Sequence, residues 1–463
     1  MADDMTLRRR VPILVMFLLG VACAPAPVPL PADESALRFF TGARLILGNG
    51  DVLDEGALLI QGDRIAAVGT ADELTALSDA NIIDLSGKTV MPALVNTHAH
   101  LGWEAYERWG SEQFTRENLV DHLHRHAYYG VGTIISTGSD IEEIALEVRQ
   151  AQRAGGIGGA RYLVSPGLGT PGGGPNPRFT DDAGWWGVNE VTAPDGARDV
   201  VRRLAERGVG ILKIWVDARD RRRGAEVKLS PEIYTAVIDE ALVRDIRVIA
   251  HATTLEDHKR LVEAGVRRFI HMPYDTDVDD EYLAMVAARN VYIVPTLGMV
   301  TRGEPYRRPV FDDPFFQEQV PARVVTTLRE AAADPGPGQP SSEAAQERAR
   351  VIRDNFARLR DHIILGTDAG AVGDFFGYAD HLEIELFVEL GMTPSEAIVA
   401  STSRAARAFG LDETGALEAG RSADFVVLDA NPLDDIMNSR EVADVYVRGA
   451  RVDRDALRDT WTQ

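Results

Sequence analysis

VMPALVNTHAHLGW, residues 90–103, reads as an apolar strand that ends in chemistry. Val90, Leu94 and Val95 form a β-branched, apolar run of the kind that is buried on both faces. It runs into His98-Ala99-His100. In an extended backbone residues i and i+2 point to the same side, so both imidazoles reach one point in space, and that point suggests a metal.

Working outward, seven more strand-like runs follow, interleaved with longer helical patterns: VGTIIST (131–137), ARYLVSPG (160–167), GILKIWVD (210–217), RVIAHAT (247–253), RRFIHMP (267–273), VYIVPTL (291–297) and HIILGTDAG (362–370). PEIYTAVIDEALVRD and TLEDHKRLVEAG are amphipathic helices between them, the second stopping at Gly265. Eight strand-helix units of this length specify an α/β fold of the (β/α)8 TIM barrel class over residues 92–411. Two segments break the rhythm. The Gly/Pro-rich loop 167–187 and the insertion 301–360 both follow strands whose carboxyl ends frame the mouth, so each is a candidate substrate wall or lid.

The two ends of the chain have a different texture. ARLILGNGDVL, GALLIQGDRIAAVG and NIIDLSGKTV near one end, and SADFVVLDANP and DVYVRGARVD near the other, are short strands punctuated by turn signals. Residues 37–91 and 412–463 are therefore expected to build one small β-sandwich. Ahead of them, Arg8-Arg9-Arg10 and the run VPILVMFLLGVA, too short to span a bilayer, read as a signal peptide over 1–24, with a proline-rich linker at 25–36. Cys23 is the only cysteine, so no intramolecular disulfide forms. A lone cysteine there resembles a lipoprotein acylation site, although Gly20 stands where an aliphatic residue is usual. Cleavage near Ala24 and lipid attachment through Cys23 both remain open, and both imply export to the periplasm or outer surface of a bacterium. Acidic residues outnumber basic ones 71 to 49, for a net charge of -22, which argues against a nucleic-acid partner. Assembly into oligomers is left open.

On the eight strands, one physical position carries ligand chemistry: His98 and His100 on the first, His251 on the fifth, His271 on the sixth and Asp368 on the eighth. Histidine nitrogens with a carboxylate suit zinc, with manganese, iron or cobalt as substitutes. Lys213 stands in the middle of GILKIWVD, a run that must be buried, where an unpaired ammonium is costly. A neutral lysine amine can take up carbon dioxide as a carbamate, an anion able to bridge two divalent metal ions. The charges then nearly balance against a carbamate, Asp368 and a hydroxide.

NTHAH, ILKIWVD, IAHAT, FIHMP and LGTDAG together resemble the amidohydrolase superfamily, in its binuclear branch with a carboxylated lysine, near imidazolonepropionase-like and prolidase-like members. GRSADFVVLDANPLDDI and HLEIELFVELGMTPSEAI extend the likeness to nearly the whole mature chain. The resemblance implies His98, His100 and Asp368 on one metal, His251 and His271 on the other, carbamylated Lys213 and a hydroxide between them, and Asp368 as the catalytic proton shuttle. It implies hydrolysis of a small-molecule substrate's C–N bond, as in N-acyl amino acids or dipeptides. Imidazolone or cyclic-imide hydrolysis, deamination and lactone hydrolysis are alternatives on the same scaffold. Deamination is disfavoured because no His-x-x-Glu pair follows strands five or six and Lys213 would have no role. A non-catalytic binding lipoprotein is the alternative from another class.

Further residues are candidates for contact with substrate: Trp103 and Tyr106 after the first strand, Trp185 and Trp186 in the long loop, Tyr234 as a group able to polarise a carbonyl, and His381 beyond the last strand. Arg178, Arg219 and Arg302 are loop cations that suit a substrate carboxylate. His122, His124 and His126 lie in a helical stretch where i and i+2 diverge by about 200°, so they are not expected to share a metal. His258 reads as a solvated helix residue, and His362 lies at the opposite strand end from the site.

Overall fold

Alternation and turn residues near the beginning of the chain produce β1 (Leu37–Ile46), β2 (Val52–Gln61), β3 (Arg64–Thr70), β4 (Asn81–Asp84) and β5 (Thr89–Pro92). Next come β6 (Leu94–Ala99), the two-residue pair β7 (Glu104–Ala105) and β8 (Arg108–Trp109), β9 (Val131–Thr137), β10 (Arg161–Ser165), β11 (Gly167–Gly169), β12 (Val188–Glu190) and β13 (Ile211–Trp215). β14 (Arg247–His251), β15 (Arg268–Ile270), β16 (Tyr292–Val294), β17 (Phe425–Leu428), β18 (Val442–Val447) and β19 (Ala450–Arg451) complete the set. The computed structural model describes residues 37–74, 81–106, 108–171, 187–217, 228–300, 310–333, 342–370 and 375–462. The expected signal peptide and linker, Cys23, Arg178, Trp185, Trp186, Arg219 and Arg302 lie outside the described residues.

The apolar run that opens at Val90 is two strands rather than one. β5 pairs antiparallel with β17, whereas β6 pairs parallel with β9. Pro92 has no N–H to continue a ladder, and the Ala93 N–H goes to the Asp424 carbonyl (3.0 Å), so the chain changes sheet at this point.

Strands from both chain ends share one sheet of order β19-β18-β17-β5-β1-β2-β3, with β4 also paired to β1. This is one continuous sheet instead of two separate ones. β1 pairs with β4 through Arg38–Thr41 and with β5 through Arg44 and Leu45, and its register breaks between these stretches. Gly42 at the break takes φ +83°, open to glycine at no cost, which turns the strand from one partner to the other. Phe40, Phe425 and Tyr446 pack together across the two ends, with centroids 4.6–5.3 Å apart.

The middle of the chain forms parallel ladders, β10-β9-β6 and β12-β11-β13-β14-β15-β16. The Lys213 N–H on Pro166 O (2.9 Å) bridges them. The run expected as the eighth strand makes only isolated bridges, Ile363 to Ile293 and Ala369 to Ala99. Asp368, at φ +59°, ends the extended segment. The helix Leu255–Ala264 starts on a Thr254 cap and stops at Gly265 with φ +109°, as its sequence indicates. The described parts of 301–360 are mostly helical, including Ala322–Ala333 and Ser342–Leu359. Among the described residues no helix is long and apolar enough to cross a membrane.

Because Phe425 is fully buried between rings from β1 and β18, Phe425→Ala is expected to lower the unfolding free energy by about 3–5 kcal/mol, read from urea denaturation. A change under about 1 kcal/mol would mean that the two chain ends do not share a core.

Candidate metal centre

Three groups converge where β6 ends. His98 Nε2 and His100 Nε2 lie 2.9 and 3.0 Å from Asp368 Oδ1, and one ligand atom from each of the three residues falls within a 4.8 Å cluster. Backbone bonds put the carboxylate there: the N–H groups of Thr367 and Asp368 both donate to the His98 carbonyl, at 2.9 and 3.0 Å. Among the described residues the buried Nε2 of His98 makes no well-formed hydrogen bond although Asp368 Oδ1 is 2.9 Å away, which suits a nitrogen left to bind a cation.

His271 and His251 continue the group. The His98 ring is 6.3 Å from that of His271, which is 4.6 Å from that of His251, and His271 Nε2 stands 3.9 Å from Asp368 Oδ2. Lys213, only 1% exposed, projects from β13 with Nζ 5.0 Å from the Trp215 ring centroid.

Each histidine is held by its other nitrogen. Nδ1 of His98 bonds Thr137 Oγ1, Nδ1 of His100 bonds Ser139 Oγ (2.7 Å) and Nδ1 of His271 bonds Thr296 Oγ1 (2.7 Å). His251 is turned the other way, with Nε2 2.9 Å from Asp217 Oδ2. Such partners orient an imidazole and fix which nitrogen is left for a metal. Sequence reading missed all four. One signal was available: Thr137 and Ser139 repeat, on the neighbouring parallel strand, the i, i+2 spacing of His98 and His100.

Electrostatics favour neutral imidazoles, the form that binds metal. Burial, reinforced by the charge of Lys213, pushes His98 down to about 3, and burial lowers His100. Burial alone would raise Asp368, but His98 and His100 outweigh it and hold the carboxyl well below the ordinary range.

The proposed substrate residues are each engaged by neighbouring parts of the fold. Trp103 is fully buried, stacked on Trp109 and bonded through Nε1 to Ser139 O (2.7 Å). Tyr106 is tied to Arg125 (2.7 Å) and His381 to Ser439 and to the Tyr129 carbonyl, so their polar atoms are occupied by packing contacts. Tyr234 lines a cavity of about 240 Å³ with Val216, Lys228 and Arg260, beyond the end of β13. His258 is buried rather than solvated, between Tyr282 and the Ala252 carbonyl, because its helix turns that face onto Phe269. His122 and His126 are buried against Phe376.

The Amidohydrolase family model matches residues 89–452, a span that includes every residue of the cluster. The chain belongs to the amidohydrolase family. An imidazolonepropionase-like composite domain of bacteria also matches residues 56–77. This amidohydrolase is 23% identical to ochratoxinase of Aspergillus niger over 435 residues, 87% of this chain and 83% of that one. It is 23% identical to imidazolonepropionase of Geobacillus kaustophilus over 436 residues, 87% of this chain and 90% of that one. It shares a fold with phenylurea hydrolase B at TM-score 0.72 and 24% identity, covering 91% of this chain and 98% of that one. It is accordingly a hydrolase of amide-type C–N bonds, in a family whose members use divalent metals.

Asp217→Ala should leave the His98/His100/Asp368 cluster intact and weaken metal binding at His251 and His271 about 10–100-fold, read by competition against a chelator. Equal weakening of every bound equivalent would remove the special tie between Asp217 and His251.

Proposed function

We propose that this amidohydrolase is an exported, binuclear metalloenzyme that hydrolyses the amide or peptide bond of small substrates such as N-acyl amino acids or dipeptides. The convergence of His98, His100 and Asp368, continued by His271 and His251, carries this reading. The same reading takes the eight strand positions as a closed (β/α)8 barrel. It is supported by the bonds of segment 363–369 to Ile293 on one side and to Thr97 and His98 on the other. Export rests on Arg8–Arg10 and the apolar run after them, and lipidation of Cys23 would tether the enzyme to a membrane.

Two divalent cations, zinc by the histidine-rich donor set, would be held by His98, His100 and Asp368 and by His251 and His271, with a carbamate on Lys213 between them. Bound there, they would lower the pKa of water and polarise the substrate carbonyl. Every other part falls to side chains of this chain. Thr137, Ser139, Thr296 and Asp217 keep the four rings turned toward the centre. Asp368, ionised and facing both His98 and His100, takes the proton that the attacking water loses and delivers it to the leaving nitrogen as the tetrahedral species collapses. As a carbamate, Lys213 turns an expensive buried cation into an anion where positive charge gathers. A second reading, hydrolysis of an imidazolone or cyclic imide, is favoured by the match over residues 56–77.

A panel of N-acyl amino acids, dipeptides, cyclic imides and lactones, with products identified by mass, separates these readings. Turnover of linear amides supports the first and turnover confined to cyclic imides the second. Well under one metal per chain, with no turnover at all, would sink both. Asp368→Asn should keep its metal and lose about 100-fold or more in kcat; near-wild-type turnover would remove Asp368 as the proton carrier. Lys213→Ala should lose turnover, with bicarbonate unable to restore it. An undiminished rate would end the carbamate proposal.

A further inference from the structure

The five residues that leave β9, Ser136 to Asp140, touch three of the candidate ligands. Thr137 and Ser139 supply the hydroxyls bonded to His98 and His100. Between them Gly138 sits at φ +87°, so close to β13 that a Cβ there would come within 2.7 Å of Lys213 Cδ and 2.5 Å of the Trp215 ring. The loop is also held from outside, by Gly138 N–H on Ser165 O (2.6 Å) and by the Trp103 indole N–H on Ser139 O (2.7 Å).

Asp140 closes this loop. It is fully buried, and its Oδ1 accepts from Ser136 Oγ (2.8 Å) and from the Tyr162 hydroxyl (2.7 Å). Ser136 Oγ in turn accepts the N–H of Leu101 (3.3 Å), one residue past His100. One carboxyl oxygen therefore joins both ends of the loop, β10 and the end of β6. Among the described residues Oδ2 has no hydrogen-bond partner. Burial, with Glu142 adding to it, pushes the carboxyl up to about 7 against the opposing bonds from Tyr162 and Ser136. A buried acid with half its hydrogen-bonding capacity unused is expensive, and an apolar residue would avoid that cost.

We propose that Asp140 is a positioning residue for the metal centre, fixing the loop from Ser136 to Asp140 so that Thr137 and Ser139 set the ring orientations of His98 and His100. Its effect on metal binding rests on the metalloenzyme reading above; its hold on the loop does not. A ligand ring that can swing must be ordered by the metal at the metal's expense, so the consequence is lower affinity. An asparagine of the same shape can accept the same two bonds on Oδ1 without a charge, whereas alanine can accept neither.

Two measurements test this. In metal-free protein the Trp103 indole N–H, assigned with Trp103→Phe, should exchange slowly with solvent in the wild type and Asp140→Asn, and rapidly in Asp140→Ala. In metal competition, Asp140→Ala should weaken binding about 10–100-fold and Asp140→Asn less than about threefold. Ser139→Ala should also weaken binding, and the double variant should fall short of the sum, because Asp140 acts through that hydroxyl. Tyr162→Phe, which removes one of the two bonds, gives an intermediate loss and serves if Asp140→Ala does not fold. A lowered melting midpoint with unchanged metal affinity, or strict additivity with Ser139→Ala, would overturn the proposal. A wild type that takes up no metal would remove the metalloenzyme reading and the role of Asp140 toward it, while indole exchange would still report on the loop.

Discussion

The carbonyl oxygen of His98 accepts two backbone N–H groups, those of Thr367 and Asp368, and the centre depends on that pair of hydrogen bonds. It fastens the two ends of the parallel region at the residues that carry the chemistry. The geometry is not relaxed. Asp368, His271 and Thr296 take φ of +59°, +67° and +52°, a left-handed backbone that side-chain-bearing residues seldom adopt. Such conformations persist only where surrounding bonds over-determine them, as the His271 N–H does on Val294 O (2.8 Å). Gly370 completes the constraint, since a Cβ there would meet the His100 carbonyl at 2.1 Å and push apart the strand ends that hold His100 and Asp368.

The partners of the imidazoles divide by charge. Nδ1 of His98, His100 and His271 faces a neutral hydroxyl, whereas His251 is turned by its Nε2 onto the Asp217 carboxylate. A carboxylate makes its imidazole a stronger electron donor, so the four histidines are not equivalent. Around Asp368 the hydroxyls add no further negative charge. His98 stays neutral through the ordinary pH range chiefly because it is buried.

Much of the site was legible because strand periodicity is short and strict. His98 and His100, two apart in an apolar run, had to share a side, and Lys213 stood out because its neighbours could only be buried. The hydroxyls that orient the rings were harder to see, since serine and threonine at strand ends are common and only the adjacency of β6 and β9 distinguishes Thr137 and Ser139. Residues on helices misled in both directions. His258 and His381 occupy faces turned inward by packing, which their immediate neighbours in sequence do not reveal. Trp103 and Tyr106 follow the ligand strand closely, yet their polar atoms are spent on Ser139 and Arg125. The eighth strand position was legible from the apolar HIIL, which bonds Ile293 on one side and Thr97 on the other, while the left-handed turn at Asp368 is set by contacts far away in sequence.

The small sheet has a consequence for how the protein is made. β5 lies between β1 and β17, and β17 is synthesised only after the whole parallel region. Until then one edge of β5, buried in the finished protein, has no partner and offers unpaired N–H and C=O groups to any other strand. Loop closure over so long a separation is slow relative to local pairing, so a nascent chain passes through a stage in which its catalytic half can be assembled while this edge is still open. That exposure ends once β17 pairs with β5.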